Sequence, residues 1–184
     1  MTLAQQQTFG AQEYLAWEAE QIDKHEFIAG EVFAMVGARQ EHVIVAGNLF
    51  AKLREHLRGT PCRPLIADMK LSVQAMDAFY YPDVMVTCDG ADKIAELYIE
   101  HPKLIIEVLS DSTAAYDRGA KFAAYRKIDS LEEYVVVDID RKGLESFRRQ
   151  NDGGWLLRDF TGEENCEFES VELTMPMAHV FEDA

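Results

Sequence analysis

Lys103-Leu104-Ile105-Ile106-Glu107-Val108-Leu109-Ser110 is the stretch on which the fold turns. Its apolar run is nearly continuous, the pattern of a short strand buried on both faces of a sheet. One carboxylate, Glu107, interrupts it. An isolated charge at such a position is driven to neutralise, so Glu107 calls for a cation, a hydrogen-bond donor or water. Tyr80-Tyr81-Pro82-Asp83-Val84-Met85-Val86 lies upstream and reads as a second strand, with an acid directly after proline. Asp117-Arg118-Gly119-Ala120-Lys121 lies downstream in a helical stretch. Two acids on neighbouring strands, Asp83 and Glu107, can converge on a divalent cation, and hard oxygen donors suit Mg²⁺ or Mn²⁺.

Working outward, the spacing predicts a helix from about Phe9 to Ile22, with Tyr14, Leu15 and Trp17 on its apolar side. Lys24 to Met35 reads as a hairpin turning at Ala29-Gly30, where glycine supplies a positive φ. Apolar residues at Val43, Ala46, Phe50, Leu53 and Leu57 step by three and four, which predicts a helix over 40–58. Gly59 and Pro61 stop it. Strands are expected over 63–73, 79–87 and 104–109, then a helix over 111–128. Tyr134–Asp138 should pair with Leu144–Arg149 across Asp140-Arg141-Lys142-Gly143. Strand-like pieces at 155–160 and 167–173 form a polar-edged extension, and a short helix follows Pro176. This order predicts a mixed α/β (α+β) architecture. Its central mixed sheet is flanked by helices, with an N-terminal helix and hairpin and a C-terminal β extension, in a single domain spanning 1–184.

Composition narrows the function classes. The 184 residues are 48% hydrophobic, enough for a sizeable core, and no apolar run approaches a membrane span. Met1-Thr2-Leu3-Ala4-Gln5-Gln6-Gln7 shows no basic segment followed by an apolar one, so no signal peptide is visible. Cys62, Cys88 and Cys166 are odd in number and far apart, which suggests reduced thiols and a cytoplasmic protein. The net charge of −15 opposes tight binding to long nucleic acid. Local basic clusters exist all the same: Lys52, Arg54, Arg58 and Arg63 in one region, Arg118, Lys121, Arg126 and Lys127 in another.

Several motifs are absent. There is no phosphate-binding glycine loop, no Gly-x-Ser-x-Gly elbow and no dinucleotide fingerprint. His25-Glu26 begins like a zinc-protease helix, but Ala29 stands where the second histidine belongs. Asp138-x-Asp140 begins like a calcium loop, yet Lys142 and Arg149 occupy positions that need acids. Asn151-Asp152-Gly153-Gly154 is a turn.

One constellation remains. Its pieces are His25-Glu26-Phe27-Ile28 with Gly30-Glu31-Val32, then Asp68-Met69-Lys70, then Tyr81-Pro82-Asp83-Val84. Glu107-Val108-Leu109-Ser110-x-Ser112-Thr113 follows, then Asp117-Arg118-Gly119-x-Lys121-x-x-x-Tyr125-Arg126 and Tyr134-Val135-Val136-Val137-Asp138. In that order they resemble the Uma-type restriction endonuclease family of the PD-(D/E)xK nuclease superfamily. The resemblance covers nearly the whole chain. It implies a restriction-endonuclease-like core and metal-dependent hydrolysis of nucleic-acid phosphodiester bonds, with DNA the first substrate to test and a homodimer as an assembly. Fold transfers more safely than activity, so a catalytically inactive binding or assembly module on the same fold is the alternative.

The resemblance also implies a site. Asp83 and Glu107 would hold the cation, with the carbonyl of Val108. The superfamily pattern places a lysine two residues after the second acid, and here that position is Leu109. A cation is needed where negative charge develops. Lys121, on the following helix, takes this place, with Lys70 as its competitor because Asp68 and Lys70 share a strand face. Arg118, Tyr125 and Asp68 are candidates for substrate contact, Glu31 for an extra acid and His42 for binding phosphate or water. Each has a plainer reading. Asp83 would be a turn acid, Glu107 half of a buried ion pair, Lys121 a solvated lysine, Glu31 a surface acid and His42 a helix-start residue.

Overall fold

The computed structural model describes residues 2–5, 10–110 and 113–184. The N-terminal part comprises β1 (Thr2–Gln5), α1 (Ala11–Glu18), β2 (His25–Ile28), β3 (Glu31–Ala34) and α2 (Gln40–His56). Six strands follow: β4 (Arg63–Ile66), β5 (Lys70–Val73), β6 (Ala78–Tyr80), β7 (Val84–Thr87), β8 (Tyr98–Ile99) and β9 (Pro102–Val108). A helical segment runs from α3 (Ala114–Tyr116) through one π-helical turn, Asp117–Lys121, into α4 (Phe122–Tyr125). The chain closes with β10 (Glu133–Asp138), β11 (Gly143–Arg149), β12 (Trp155–Thr161), β13 (Asn165–Phe168), β14 (Leu173–Pro176) and α5 (Met177–Val180).

The apolar run at 103–110 is indeed a strand buried on both faces. In the sheet β12-β11-β10-β9-β7-β4, β9 is parallel to β10 and antiparallel to β7. Side chains alternate across such a strand. Leu104, Ile106 and Val108 face one core, with Val45, Leu49 and Leu53 of α2 and Phe168 and Val180 of the C-terminal extension. Ile105 faces the other, with Phe122, Tyr125 and Tyr134. Fully burying each such side chain is worth about 1.5–3 kcal/mol, so the sheet is clamped from both sides. A second sheet, β1-β3-β2-β6-β5-β8, carries the predicted hairpin. Its turn has Ala29 at φ 47 and Gly30 at φ 94, the twist that two-residue hairpins favour. Tyr14 of α1 stacks on Phe27 at 5.0 Å and on Phe79 at 5.4 Å, which seats α1 on this sheet.

Sequence and structure part at the strand boundaries. The expected strand 63–73 is two strands in different sheets, because the chain turns at Ala67, φ 44. The expected strand 79–87 is likewise split at Tyr81-Pro82-Asp83 into β6 and β7. Proline has no N–H to donate to a ladder, and it marks the crossing from one sheet to the other. The stripe of α2 is largely the one expected, since Ala46, Leu53 and Leu57 are buried and Phe50 packs against the same core, but Val43 is 59% exposed and Val45 and Leu49 are fully buried beside the others. Phe9 and Ser112 lie outside the described residues, so the start of the first expected helix and the link into α3 do too.

The reading of reduced cysteines is corrected. Cys62 and Cys88 are joined by a disulfide. They are distant in sequence, yet they flank Arg63 and Thr87, which pair at the end of the β4–β7 ladder. Cys166 is free and buried. No helix among the described residues is long and apolar enough to cross a membrane.

Candidate active site

Register brings the two acids together. Val84 stands opposite Ile106, and one step back along β7 sets Asp83 beside Glu107. Asp83 bridges two elements. Its Oδ2 accepts the Val108 N–H at 2.8 Å, and its Oδ1 lies 2.9 Å from Nε2 of His42 in the first turn of α2. Burial alone would lower the His42 pKa. The hydrogen bond and charge of Asp83, with the more distant charge of Asp117, outweigh that and raise it.

Glu107 points away from α2 into a closed polar cluster. Its Oε1 accepts the Tyr125 hydroxyl at 2.8 Å and meets Lys121 Nζ at 2.9 Å. Lys121 and Tyr125 reach the same oxygen because they follow one another on one face of the helical segment. The Lys121 ammonium also lies 3.3 Å from Glu26 Oε1 and 3.7 Å from Asp117 Oδ1. The π turn is bracketed by this i, i+4 pair, and the Tyr134 hydroxyl donates to the Asp117 carbonyl within it. Single π turns in otherwise α-helical segments are frequent at functional sites.

Charge and burial compete here. Burial pushes the Glu107 carboxyl up to about 8; Lys121 opposes that shift, while Asp83 and Asp117 add to it. Asp117 is also raised, by burial first and then by its acid neighbours Asp83 and Glu26, against Lys121 and a hydrogen bond from Thr113. For Lys121 burial works downward, but Glu107, Glu26 and Asp117 together hold its pKa well above the ordinary lysine value. The ammonium is therefore a fixed charge, and Glu107 holds its proton to higher pH than an ordinary carboxyl.

The other candidates fall elsewhere. Lys70 sits over the Tyr81 ring, 5.4 Å from its centroid, and makes no ion pair with Glu107. Asp68 follows the turn at Ala67 instead of sharing a strand face with Lys70; it is exposed and pairs with Lys24. Glu31 is exposed next to the hairpin turn, paired with Ile28, two positions along the ladder from the buried Glu26. Tyr125 is fully buried, so it holds Glu107 rather than offering a surface to substrate. Arg118 is occupied by Glu145, at 2.7 and 3.1 Å, and by Asp138 at 3.2 Å. Glu26 is the acid that the sequence reading passed over. It lies in β2 beside Phe27, both side chains are buried, and at 3% exposure its carboxylate needs a cation, which Lys121 supplies.

The family model described as "Uma2: Putative restriction endonuclease" matches residues 11–178. The chain belongs to the Uma2 family. Two relatives from Synechocystis sp., the uncharacterized proteins slr1290 and sll1609, are each 33% identical to it. The first alignment covers 92% of this chain and 90% of slr1290; the second covers 92% and 96% of sll1609. The crystal structure of a putative nuclease belonging to DUF820 from Anabaena variabilis superposes with a TM-score of 0.77 at 15% identity. That match spans 94% of this Uma2 chain and 97% of the other. At that identity the likeness establishes the fold, a restriction-endonuclease-like mixed α/β architecture.

The oxygen donors of the Uma2 chain at this site are few. Among the described residues no three His, Cys, Asp or Glu side chains gather into a self-sufficient metal site. Two carboxylates, Asp83 and Glu107, do approach each other. Mg²⁺ keeps several waters and is commonly held by one or two carboxylates plus substrate phosphate, so this sparse oxygen set would fit it.

Proposed function

We propose that this protein is a metal-dependent nuclease that hydrolyses phosphodiester bonds of nucleic acid, DNA first among them. The observation that carries the reading is the convergence of Asp83, Glu107 and Lys121 at the end of β9, on the fold of the Uma2 family. Asp83 and Glu107, with the carbonyl of Val108, are the residues that would hold Mg²⁺ or Mn²⁺. Bound there, the cation would polarise the scissile phosphate and acidify the attacking water. Lys121 supplies positive charge where negative charge develops on the phosphoryl oxygens. His42 orients Asp83 through their 2.9 Å contact, and Tyr125 orients Glu107. Glu26 and Asp117 keep Lys121 protonated and in place.

The test is cleavage of supercoiled plasmid in Mg²⁺ or Mn²⁺, together with calorimetric titration of the metal. Asp83→Asn and Glu107→Gln are expected to lose both metal binding and cleavage while keeping the native circular dichroism spectrum. Parent-like Mn²⁺ binding by both variants would sink the assignment. One observation favours the second reading, an inactive nuclease-fold binding module: the Lys121 ammonium itself neutralises part of the acid cluster. Absence of metal binding in the parent protein would select it.

A further inference from the structure

We propose that the Cys62–Cys88 bridge is a thiol–disulfide exchange site for small anionic thiols. The bridge lies just beyond Arg63 opposite Thr87, at the end of the β4–β7 ladder away from Asp83. Both cysteines are half-buried. A cavity of about 210 Å³ opens onto Cys62, lined also by Arg54, Leu57, Arg58, Arg63 and Pro64. Every charged side chain in that lining is an arginine, in a chain whose net charge is −15. Arg54 comes from the last turn of α2, Arg58 from the segment after it and Arg63 from the start of β4. Three elements therefore converge to put permanent positive charge beside one sulfur.

Guanidinium groups stay protonated at any ordinary pH. Grouped in a concavity, they concentrate anions and raise their rate of arrival. They also favour thiolate over thiol in their vicinity, on the attacking and on the departing sulfur. An incoming thiolate attacks Cys62 Sγ from the cavity, and a bond forms between the two sulfurs. The Cys62–Cys88 bond breaks, its electron pair leaves on Cys88 Sγ, and that sulfur takes a proton from water. A second thiolate attacking the mixed disulfide releases Cys62 as thiolate and yields the oxidised dimer of the small thiol. Cys88 does not line the cavity, so the adduct forms on Cys62.

The arginines have another possible reason to be there, since cations near a helix C-terminus favour its dipole. The experiment separates the two. The full chain, purified with its disulfide closed, is exposed at low salt to glutathione or mercaptoethanesulfonate, and in parallel to cationic cysteamine at matched thiolate concentration. Acid quenching followed by peptide mass mapping reads rate and position. The anionic thiols are expected to react about tenfold faster than cysteamine or more. The adduct is expected on Cys62, and Arg54→Ser/Arg58→Ser/Arg63→Ser should remove the preference. High salt on the parent protein should remove it too, which keeps the test valid if the triple variant does not fold. Equal rates for the two thiol charges, an adduct on Cys88, a preference that survives both treatments, or free thiols at both positions in air-handled protein would each overturn the proposal. None of these outcomes depends on nuclease activity.

Discussion

Lys121 is the residue on which the acid cluster depends. It is 6% exposed, and three carboxylates converge on one ammonium. Removing one partner of a buried ion cluster costs about 3–5 kcal/mol, because the remaining charges lose their compensation. Lys121→Met is therefore expected to lower stability by that order in urea titrations at neutral pH. The loss should be smaller near pH 5, where the orphaned acids take up protons. Lys121→Arg keeps the charge and the fold, but a planar guanidinium does not place it as a lysine ammonium does. Its cleavage rate is expected to fall by roughly a hundredfold with metal binding retained. Lys70→Ala, on a residue that packs over Tyr81, should leave cleavage nearly unchanged. A larger loss from Lys70→Ala than from Lys121→Arg would hand Lys70 the role.

Glu107 gives the same cluster a pH signature. Its carboxyl is raised from an ordinary 4.5 to about 8, chiefly by burial. A group whose folded pKa is raised adds stability that is complete below the unfolded value and is lost as pH rises through the folded value. The metal-free protein should therefore lose stability between about pH 4.5 and 8, and Glu107→Gln should lack that component. Lys121 is protonated throughout this window, so its lost partner in the variant contributes an offset and not a slope. Melting temperatures taken every half unit would show the two curves converging, or crossing, as pH rises. Parallel curves would mean that Glu107 titrates outside this window.

Among the elements, α2 shows how the sequence was readable and where it was not. Helical spacing gave the existence of α2, nearly its ends and most of its buried stripe, but not the centre of that stripe. Ala46, Leu53 and Leu57 lie in the core as their spacing implies, and only the packing against β7 and β9 adds Val45 and Leu49 and leaves Val43 outside. Leu49→Ala is expected to cost about 2–5 kcal/mol and Val43→Ala less than about 0.5, read as midpoints of urea unfolding. Glu107 was legible from its strand context, because a carboxylate in an apolar strand is a conspicuous local conflict, and Asp83 from its place after Pro82 just before β7. Glu26 and Asp117 were not legible as site residues. Nothing local tells an inward from an outward acid in a four-residue hairpin strand, and the partner that explains both, Lys121, is remote from Glu26 in the chain. The disulfide was hidden for the same reason: pairing of β4 with β7 is a long-range fact.

At the scale of the whole molecule, charge sets what a nucleic-acid partner would feel. The chain carries a net charge of −15, and the basic residues that the sequence grouped near the site are largely engaged. Arg118 is paired with Glu145 and Asp138, Lys121 is buried among acids, and Arg126 lies over the Phe122 ring at 5.0 Å. The arginine-lined cavity sits at the far end of the β4–β7 ladder from Asp83. Few cations are left to neutralise phosphates beside the acid cluster, and phosphate neutralisation dominates affinity for duplex DNA. Binding is therefore expected to be weak. It should also fall with salt, because each neutralised phosphate releases about 0.9 counterion. For about three such contacts, affinity should drop roughly thirty- to fiftyfold between 50 and 200 mM salt. Fluorescence anisotropy of a labelled duplex would measure the slope. Affinity that barely changes over that range would rule out phosphate-led binding and direct attention to base or end recognition.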